Sequence, residues 1–178
     1  MQRSGKIILL SHCLLNPNSK TRGSARPWSE GLPLLQYLLS LDVGLYQLPC
    51  PEQTFSGSKR WGQSKEQYSN PYFRKHCRSI IDSLVLELSD YKNSGYHLLG
   101  LLGIKGSPSC GVRHTFTAAW GGERSGPLTD GKIAAGTGVF IEELSFAFSE
   151  AGLAIPLLEI DEEDIDSSML VLQGLSGL

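Results

Sequence analysis

Short apolar runs alternate with longer segments of helical periodicity along this chain, and this alternation limits the possible folds more than any other feature. Four apolar runs are predicted strands, at 6–11, 45–48, 96–104 and 153–160. The spacing of large apolar residues predicts helices over 33–42, 70–95 and 136–152. Strand, helix and strand in repetition indicate a mostly parallel sheet with helices on both faces. We therefore predict an α/β fold, a three-layer Rossmann- or flavodoxin-like domain.

Two segments depart from this rhythm. Residues 112–135 are rich in glycine and polar side chains, which predicts a long excursion from the αβ pattern. Pro156 falls inside the last predicted strand. Because proline lacks the amide hydrogen that a central strand donates, Pro156 favours an edge position for that strand.

Length and composition fit one domain over residues 1–178. The chain is 40% hydrophobic, and a domain of this size buries about 70% of the surface of its unfolded chain. No window approaches the ~18 apolar residues of a membrane span, and the N-terminal apolar run is too short for a secretory signal. A net charge of −2 without a clustered basic face argues against nucleic acid as a partner. We expect a cytoplasmic protein that binds neither membrane nor nucleic acid.

Three of the four cysteines directly follow predicted strands. Cys13 lies two residues past the first strand, Cys50 two residues past the second, and Cys110 a few residues past the third. The carboxyl ends of parallel strands meet at one edge of the sheet, where α/β folds bind ligands. We therefore expect these three thiols to converge on one crevice. Cys77 falls within the predicted helix 70–95 and is expected to be an ordinary core residue.

Converging cysteines are compatible with several chemistries. Three thiolates could hold an iron–sulfur cluster and leave one iron without a protein ligand. They could hold zinc with His12 or His114 as the fourth ligand, although the chain has no CxxC pair. One thiolate could instead be a nucleophile, with a histidine or Glu52 as its base. The cysteines could also be inert small residues that suit tight loops.

The motifs "SHCLLN", "QLPCPE", "KRWGQSKEQY", "GSPSCGV" and "GVFIEEL", in this order, resemble the thiouracil desulfurase (TudS) family, in particular its short members. The resemblance extends from about residue 6 to residue 160. It implies that Cys13, Cys50 and Cys110 ligate a 4Fe–4S cluster whose fourth iron takes the sulfur of a thiocarbonyl substrate. The C=S group then becomes C=O with water, without net redox change.

The same resemblance implies an acidic residue and a serine beside the cluster. We assign these roles to Glu52 and to Ser107 or Ser109. The expected function is therefore a desulfidase acting on a small thiocarbonyl compound such as a thiolated pyrimidine. The alternatives are a metal-independent hydrolase or transferase with a cysteine nucleophile, and a non-catalytic iron–sulfur or metal sensor.

Aromatic and basic residues after Cys50 suggest a substrate wall. Trp61 and Tyr68 could stack on a planar base, and the guanidinium of Arg60 could donate hydrogen bonds to it. Packing of the two aromatic side chains on the protein body is the simpler explanation. Trp120, followed by two glycines, could form a lid or belong to a surface loop.

Overall fold

The computed structural model describes residues 3–119 and 131–174. The strands are β1 (Lys6–Leu10), β2 (Gly44–Gln47), β3 (His97–Ile104), β4 (His114–Ala118), β5 (Gly131–Ala135) and β6 (Leu157–Ile160). The helices are α1 (His12–Leu15), α2 (Trp28–Ser40), α3 (Pro51–Ser56), α4 (Lys65–Tyr68), α5 (Pro71–Asn93), α6 (Val139–Glu150) and α7 (Ile165–Gln173). Within these residues, β2, β1, β3 and β6 form a parallel sheet in that order, and β4 pairs with β5 in a separate antiparallel ribbon.

Strand β1 is apolar at consecutive positions because helices cover the sheet on both faces. Ile7 and Leu9 belong to a core cluster with residues of α5 and α6, whereas Ile8 and Leu10 pack with residues of α2 and α7. Successive side chains of a strand point to opposite faces, so each pair enters a different helical layer. Full burial of each such side chain contributes about 1.5–3 kcal/mol. This arrangement confirms the predicted three-layer α/β fold.

Helix α5 begins and ends where its sequence signals indicate. The Asn70 side chain caps it, because Oδ1 accepts hydrogen bonds from the backbone amides of Tyr72 (3.1 Å) and Phe73 (3.0 Å). Pro71 occupies the first helical position, where no amide donor is needed. Gly95 follows the helix with φ +83°, a left-handed conformation that ends helices. Its bounds therefore lie within two residues of the prediction.

Other boundaries differ from the prediction. Helix α2 begins at Trp28, five residues before the predicted start, and continues through Pro33. Burial of Leu34 and Leu38 against the sheet offsets the backbone hydrogen bond that proline cannot donate. Near the carboxyl end, α7 was not predicted; the Asp164 side chain caps it by accepting from the amide of Ser167 at 3.0 Å.

The excursion predicted over 112–135 forms a β-ribbon at its two ends. Strands β4 and β5 pair in register from His114 opposite Ala135 to Ala118 opposite Gly131. The prediction missed them because the ribbon is only partly buried and lacks a continuous apolar run. Residues 120–130, including Trp120 and the proposed lid, lie outside the described residues.

The edge position of the last strand is confirmed. Strand β6 pairs only with β3 among the described strands, and Pro156 directly precedes it. The carbonyl of Pro156 accepts a hydrogen bond from the amide of Leu101 at 2.8 Å, so the proline supports the sheet without needing a donor of its own. No helix in the described part of the chain combines the length and apolarity needed to cross a membrane.

Strand β3 and the turn that carries Cys110 approach each other closely at Gly103. The amide of Ile104 donates to the carbonyl of Cys110 at 3.0 Å. A Cβ atom at Gly103 would lie 2.4 Å from that same carbonyl oxygen and 2.6 Å from Cγ2 of Val112. Any larger residue at position 103 would therefore push the turn away from the sheet.

We expect Gly103→Ala to lower the free energy of unfolding by about 1–3 kcal/mol, because the added methyl group displaces the backbone of the turn. The matched control is Gly31→Ala in helix α2, where an added Cβ meets nothing within 4 Å. This control should be neutral or should stabilise the protein by up to about 1 kcal/mol. Urea unfolding followed by circular dichroism measures both, and equal stabilities would contradict the expectation.

Candidate functional site

A cavity of about 210 Å³ lies at the carboxyl-terminal edge of the parallel sheet. Residues that follow each of the four strands line it: Cys13 after β1, Cys50 after β2, Cys110 after β3 and Glu162 after β6. The three other predicted site residues also line the cavity: Glu52, Ser107 and Ser109. The structure thus brings the six predicted ligand and catalytic residues to one place, whereas Cys77 is buried in α5.

Backbone hydrogen bonds hold the turn around Cys110 in place. The hydroxyl of Ser107 accepts from the amide of Cys110 at 2.9 Å. The carbonyl of Ser109 accepts from the amides of Phe140 (3.0 Å) and Ile141 (3.2 Å), in the first turn of α6. The first amides of a helix have no partner within the helix, so the turn supplies acceptors that α6 needs. The thiol of Cys110 is therefore fixed relative to both β3 and α6.

Cys50 and Cys13 occupy the starts of short helices. Cys50 is the N-cap residue of α3, and its Sγ accepts a hydrogen bond from the amide of Gln53 at 3.4 Å. Pro51 occupies the next position and restricts the backbone there. Cys13 lies in α1, one residue after the first residue of that helix. As whole residues, Cys13 and Cys50 are partly exposed, whereas Cys110 is buried.

All three thiols are held in their protonated form by their surroundings. Burial raises the pKa of Cys13 to about 12. Burial also raises the pKa of Cys50. The pKa of Cys110 lies well above its usual value because of burial and, next, the neighbouring Cys13 and Cys50 thiols. In the metal-free protein, these groups are therefore neutral at physiological pH.

The histidines considered as zinc ligands already have other partners. His12 lines the cavity, but its Nδ1 lies 3.0 Å from the carbonyl oxygen of Leu48 and its Nε2 lies 3.3 Å from the side-chain amide of Asn16. His114 pairs with Glu159, with 2.7 Å between Nδ1 and Oε1. Among the described residues, no group of three or more His, Cys, Asp or Glu side chains that could hold a metal ion is present.

Three cysteine sulfurs line the cavity, and this is a ligand type that both soft metal ions and iron–sulfur clusters take. Hydroxyl and amide donors at Ser109 and Gln53 contact the sulfurs of Cys110 and Cys50, as is common around iron–sulfur clusters.

A short hydrogen bond joins Glu52 and Ser109 in the cavity wall. The hydroxyl of Ser109 donates to Oε1 of Glu52 at 2.6 Å and lies 3.5 Å from Sγ of Cys110. Ser107 is 3.4 Å from the hydroxyl of Ser109 and instead accepts from the Cys110 amide. The structure therefore separates two serines that the motif could not distinguish: Ser109 contacts Glu52, and Ser107 supports the turn.

The predicted aromatic wall is not found. Trp61 is 42% exposed and is not among the residues that line the cavity. Tyr68 is fully buried and packs on Phe73, with 4.5 Å between ring centroids. Tyr68 thus packs on the body of the protein, whereas Trp61 is exposed outside the cavity. Of the three predicted wall residues, Arg60 alone lines the cavity within the described part of the chain.

A comparison with known proteins identifies a relative. Over 107 residues, this chain is 33% identical to a protein of Methanocaldococcus jannaschii named uncharacterized protein MJ0003, and the match covers 60% of this chain and 68% of the relative. The chain belongs to the MJ0003 family. No family model matches the chain, and no solved structure matches it. Because the name of MJ0003 states no activity, membership in the MJ0003 family leaves the function to be inferred from the cavity.

One ion pair in the cavity of this MJ0003-family protein was missed from the sequence. Nζ of Lys20 lies 2.6 Å from Oε1 of Glu162, and both residues line the cavity. Their side chains are 11% and 22% exposed. The two residues are far apart in the chain and belong to no shared motif, so no local signal could have joined them.

The raised pKa values predict slow alkylation of the metal-free protein. At pH 8, Cys13 should react with iodoacetamide at least about a hundredfold more slowly than an exposed cysteine, because only the thiolate reacts. Because the pKa of this thiol is about 12, its thiolate fraction rises about tenfold per pH unit through pH 10, and the alkylation rate should rise in proportion. Mass spectrometry of the alkylated peptides measures each rate. A plateau below pH 8 would instead identify a low-pKa nucleophile.

Proposed function

We propose that this protein is a desulfidase, related to the thiouracil desulfurase family, that converts the C=S group of a small molecule to C=O and releases sulfide. A thiolated pyrimidine is the substrate class that the motif resemblance favours. The observation that carries the proposal is that Cys13, Cys50 and Cys110 line one cavity together with Glu52 and Ser109. All four cysteines are free thiols, which agrees with a location in the reducing cytoplasm.

In this proposal, Cys13, Cys50 and Cys110 hold a 4Fe–4S cluster as thiolates and leave one iron without a protein ligand. When bound, the cluster supplies a soft Lewis acid, which matches the sulfur atom of a thiocarbonyl group. Binding replaces the protons of three thiols whose pKa values are raised by burial, so incorporation of the metal is coupled to proton release.

The chain's own contribution to the reaction is positioning and proton transfer. Glu52 can accept the proton of a water molecule that attacks the thiocarbonyl carbon, and the hydroxyl of Ser109 at 2.6 Å can relay it. Water supplies the oxygen of the product, and its two protons leave with the sulfur as hydrogen sulfide. The carbon–sulfur double bond is replaced by a carbon–oxygen double bond, so no electron donor or acceptor is needed.

The charges around the cavity support an anionic centre. Three cationic side chains line it, Lys20, Arg60 and Lys105, together with two carboxylates, Glu52 and Glu162. The excess of positive charge offsets part of the negative charge that thiolates and inorganic sulfide would bring. Ser109 and Cys110 also line the cavity and are buried, where hydrogen bonds and charge interactions are stronger than in water.

A metal-independent cysteine hydrolase has less support. An activated nucleophile needs a lowered pKa or an adjacent base. In the described structure, no histidine nitrogen or carboxylate oxygen is hydrogen-bonded to Cys13, Cys50 or Cys110, and burial raises the pKa of all three thiols. The sensor alternative shares the cluster and differs only in turnover, so the assay below separates it.

Anaerobic reconstitution tests the cluster. The protein should become brown and contain about four iron and about four sulfide per chain. Replacing Cys13, Cys50 or Cys110 singly by alanine should lower the iron content and abolish sulfide release from 2-thiouracil and related thiolated bases. The matched control is Cys77→Ala, because Cys77 is buried in α5 and does not line the cavity.

The results of that experiment separate the three functions. Iron-free protein, or cysteine variants that all retain iron, would contradict the cluster. A cluster that forms but releases no sulfide from any thiolated base would favour the sensor. Colourless protein that stays active after treatment with a chelator would favour the cysteine nucleophile.

Variants of Glu52 and Ser109 test the proton-transfer roles. Glu52→Gln keeps the shape of the side chain but removes the base, so sulfide release should fall by roughly 10²–10⁴-fold with unchanged iron content. Ser109→Ala should cause a smaller loss of rate. Ser107→Ala should mainly lower stability, by about 1 kcal/mol, because it removes the partner of the Cys110 amide. A rate loss for Ser107→Ala as large as that for Ser109→Ala would contradict the assignment of the two serines.

A further inference from the structure

Arg60 is buried in the cavity wall and connects two segments that carry cysteines. It is 6% exposed. Its Nη2 donates to the carbonyl of Ser19 at 2.5 Å, in the turn that follows Cys13 and α1. Its Nε donates to Oε2 of Glu52 at 3.3 Å, and its Nη1 donates to Oε1 of Gln53 at 3.1 Å. Both acceptors lie in α3, the helix that Cys50 caps.

The guanidinium has little capacity left for a substrate. Nη1 also lies 3.3 Å from the carbonyl of Gly57, so four of its five N–H groups have acceptors within the protein. A residue that recognised a thiolated base would need two adjacent N–H groups facing the cavity. The contacts of Arg60 instead run along the wall, from the Cys13 segment to α3.

We propose that Arg60 is a positioning residue: it holds the segment after Cys13, the start of α3 after Cys50 and the carboxylate of Glu52 in one fixed arrangement. It acts through these groups and does not touch the reacting atoms. Its effect on turnover rests on the proposed desulfidase function, whereas its effect on the two cysteine segments does not.

Arginine suits this role because its planar fork presents donors in several directions at once. An ammonium group at position 60 keeps the charge, but one nitrogen cannot reach Ser19, Glu52 and Gln53 together. Glu52 has a side chain that is 12% exposed, so its carboxylate depends on these donors in place of water. Loss of the guanidinium should therefore release the carboxylate of Glu52 and loosen the segments that carry Cys13 and Cys50.

The test compares Arg60→Lys with Arg78→Lys in the metal-free protein. Arg78 pairs with Glu143 at 2.9 Å between α5 and α6, has a side chain that is 54% exposed and does not line the cavity. The probe is iodoacetamide at one fixed pH, with the alkylation rate of each cysteine measured by mass spectrometry. Arg60→Lys should speed alkylation of Cys13 and Cys50 about tenfold. Loss of a charge-assisted hydrogen bond raises the population of the locally open state by about this factor.

Cys77 serves as an internal control because it is fully buried in α5. Its rate should be unchanged in Arg60→Lys, and Arg78→Lys should leave the rates of Cys13 and Cys50 unchanged. Equal acceleration of Cys77 would show that Arg60 stabilises the whole fold and not the site, which overturns the proposal. No acceleration of Cys13 and Cys50 would overturn it as well.

A second readout uses the reconstituted protein. Arg60→Lys should lower kcat on the order of 10²-fold with little change in KM, because a displaced Glu52 slows the chemical step. Added to Glu52→Gln, the same substitution should cause no further loss, and full additivity would overturn the role of Arg60 through Glu52. If the wild-type protein releases no sulfide, the proposed function fails, and the alkylation rates alone decide the role of Arg60.

Discussion

Burial of the central strands on both faces is the constraint on which the rest of this structure depends. Strands β1 and β3 carry apolar side chains toward both helical layers, so neither face of the sheet can hold a polar site. Only the ends of the strands remain accessible. Because the strands are parallel, their carboxyl ends share one edge, and residues from four distant parts of the chain meet there.

The site combines rigid backbone with desolvated sulfur. The Cys110 turn satisfies the first amides of α6, and β3 binds its other side. The burial that results raises the pKa of the thiols and keeps them protonated without a metal. In the proposed function, the same burial would give a soft metal centre a dry environment. The unreactive thiols of the metal-free protein and the thiolate ligands of the proposed cluster would then both follow from one packing arrangement.

The features that sequence could predict are those set by local signals and by topology. Helix α5 was placed within two residues because Asn70, Pro71 and Gly95 mark its ends and an apolar stripe runs between them. The approach of Cys13, Cys50 and Cys110 followed from the position of each residue after a parallel strand. Neither inference required knowledge of side-chain packing.

The features that sequence missed depend on contacts between distant residues. The extension of α2 through Pro33 requires the sheet surface that buries its leucines, and no local pattern contains that surface. The pairing of Lys20 with Glu162 joins two ends of the chain. The difference between Ser107 and Ser109 arises from their neighbours in space, since their chemistry and motif are the same.

The close contact at Gly103 fixes one part of the cavity wall, the turn that carries Cys110. The Cys110 backbone cannot move toward β3, where its carbonyl oxygen already lies against Gly103, and the amides of α6 hold the carbonyl of the neighbouring Ser109. The segments that carry Cys13 and Cys50 are held by their own backbone hydrogen bonds and by the Arg60 side chain. The main chain therefore sets the position of the residue at 110, and in the proposed function a bound cluster would have to match that fixed ligand.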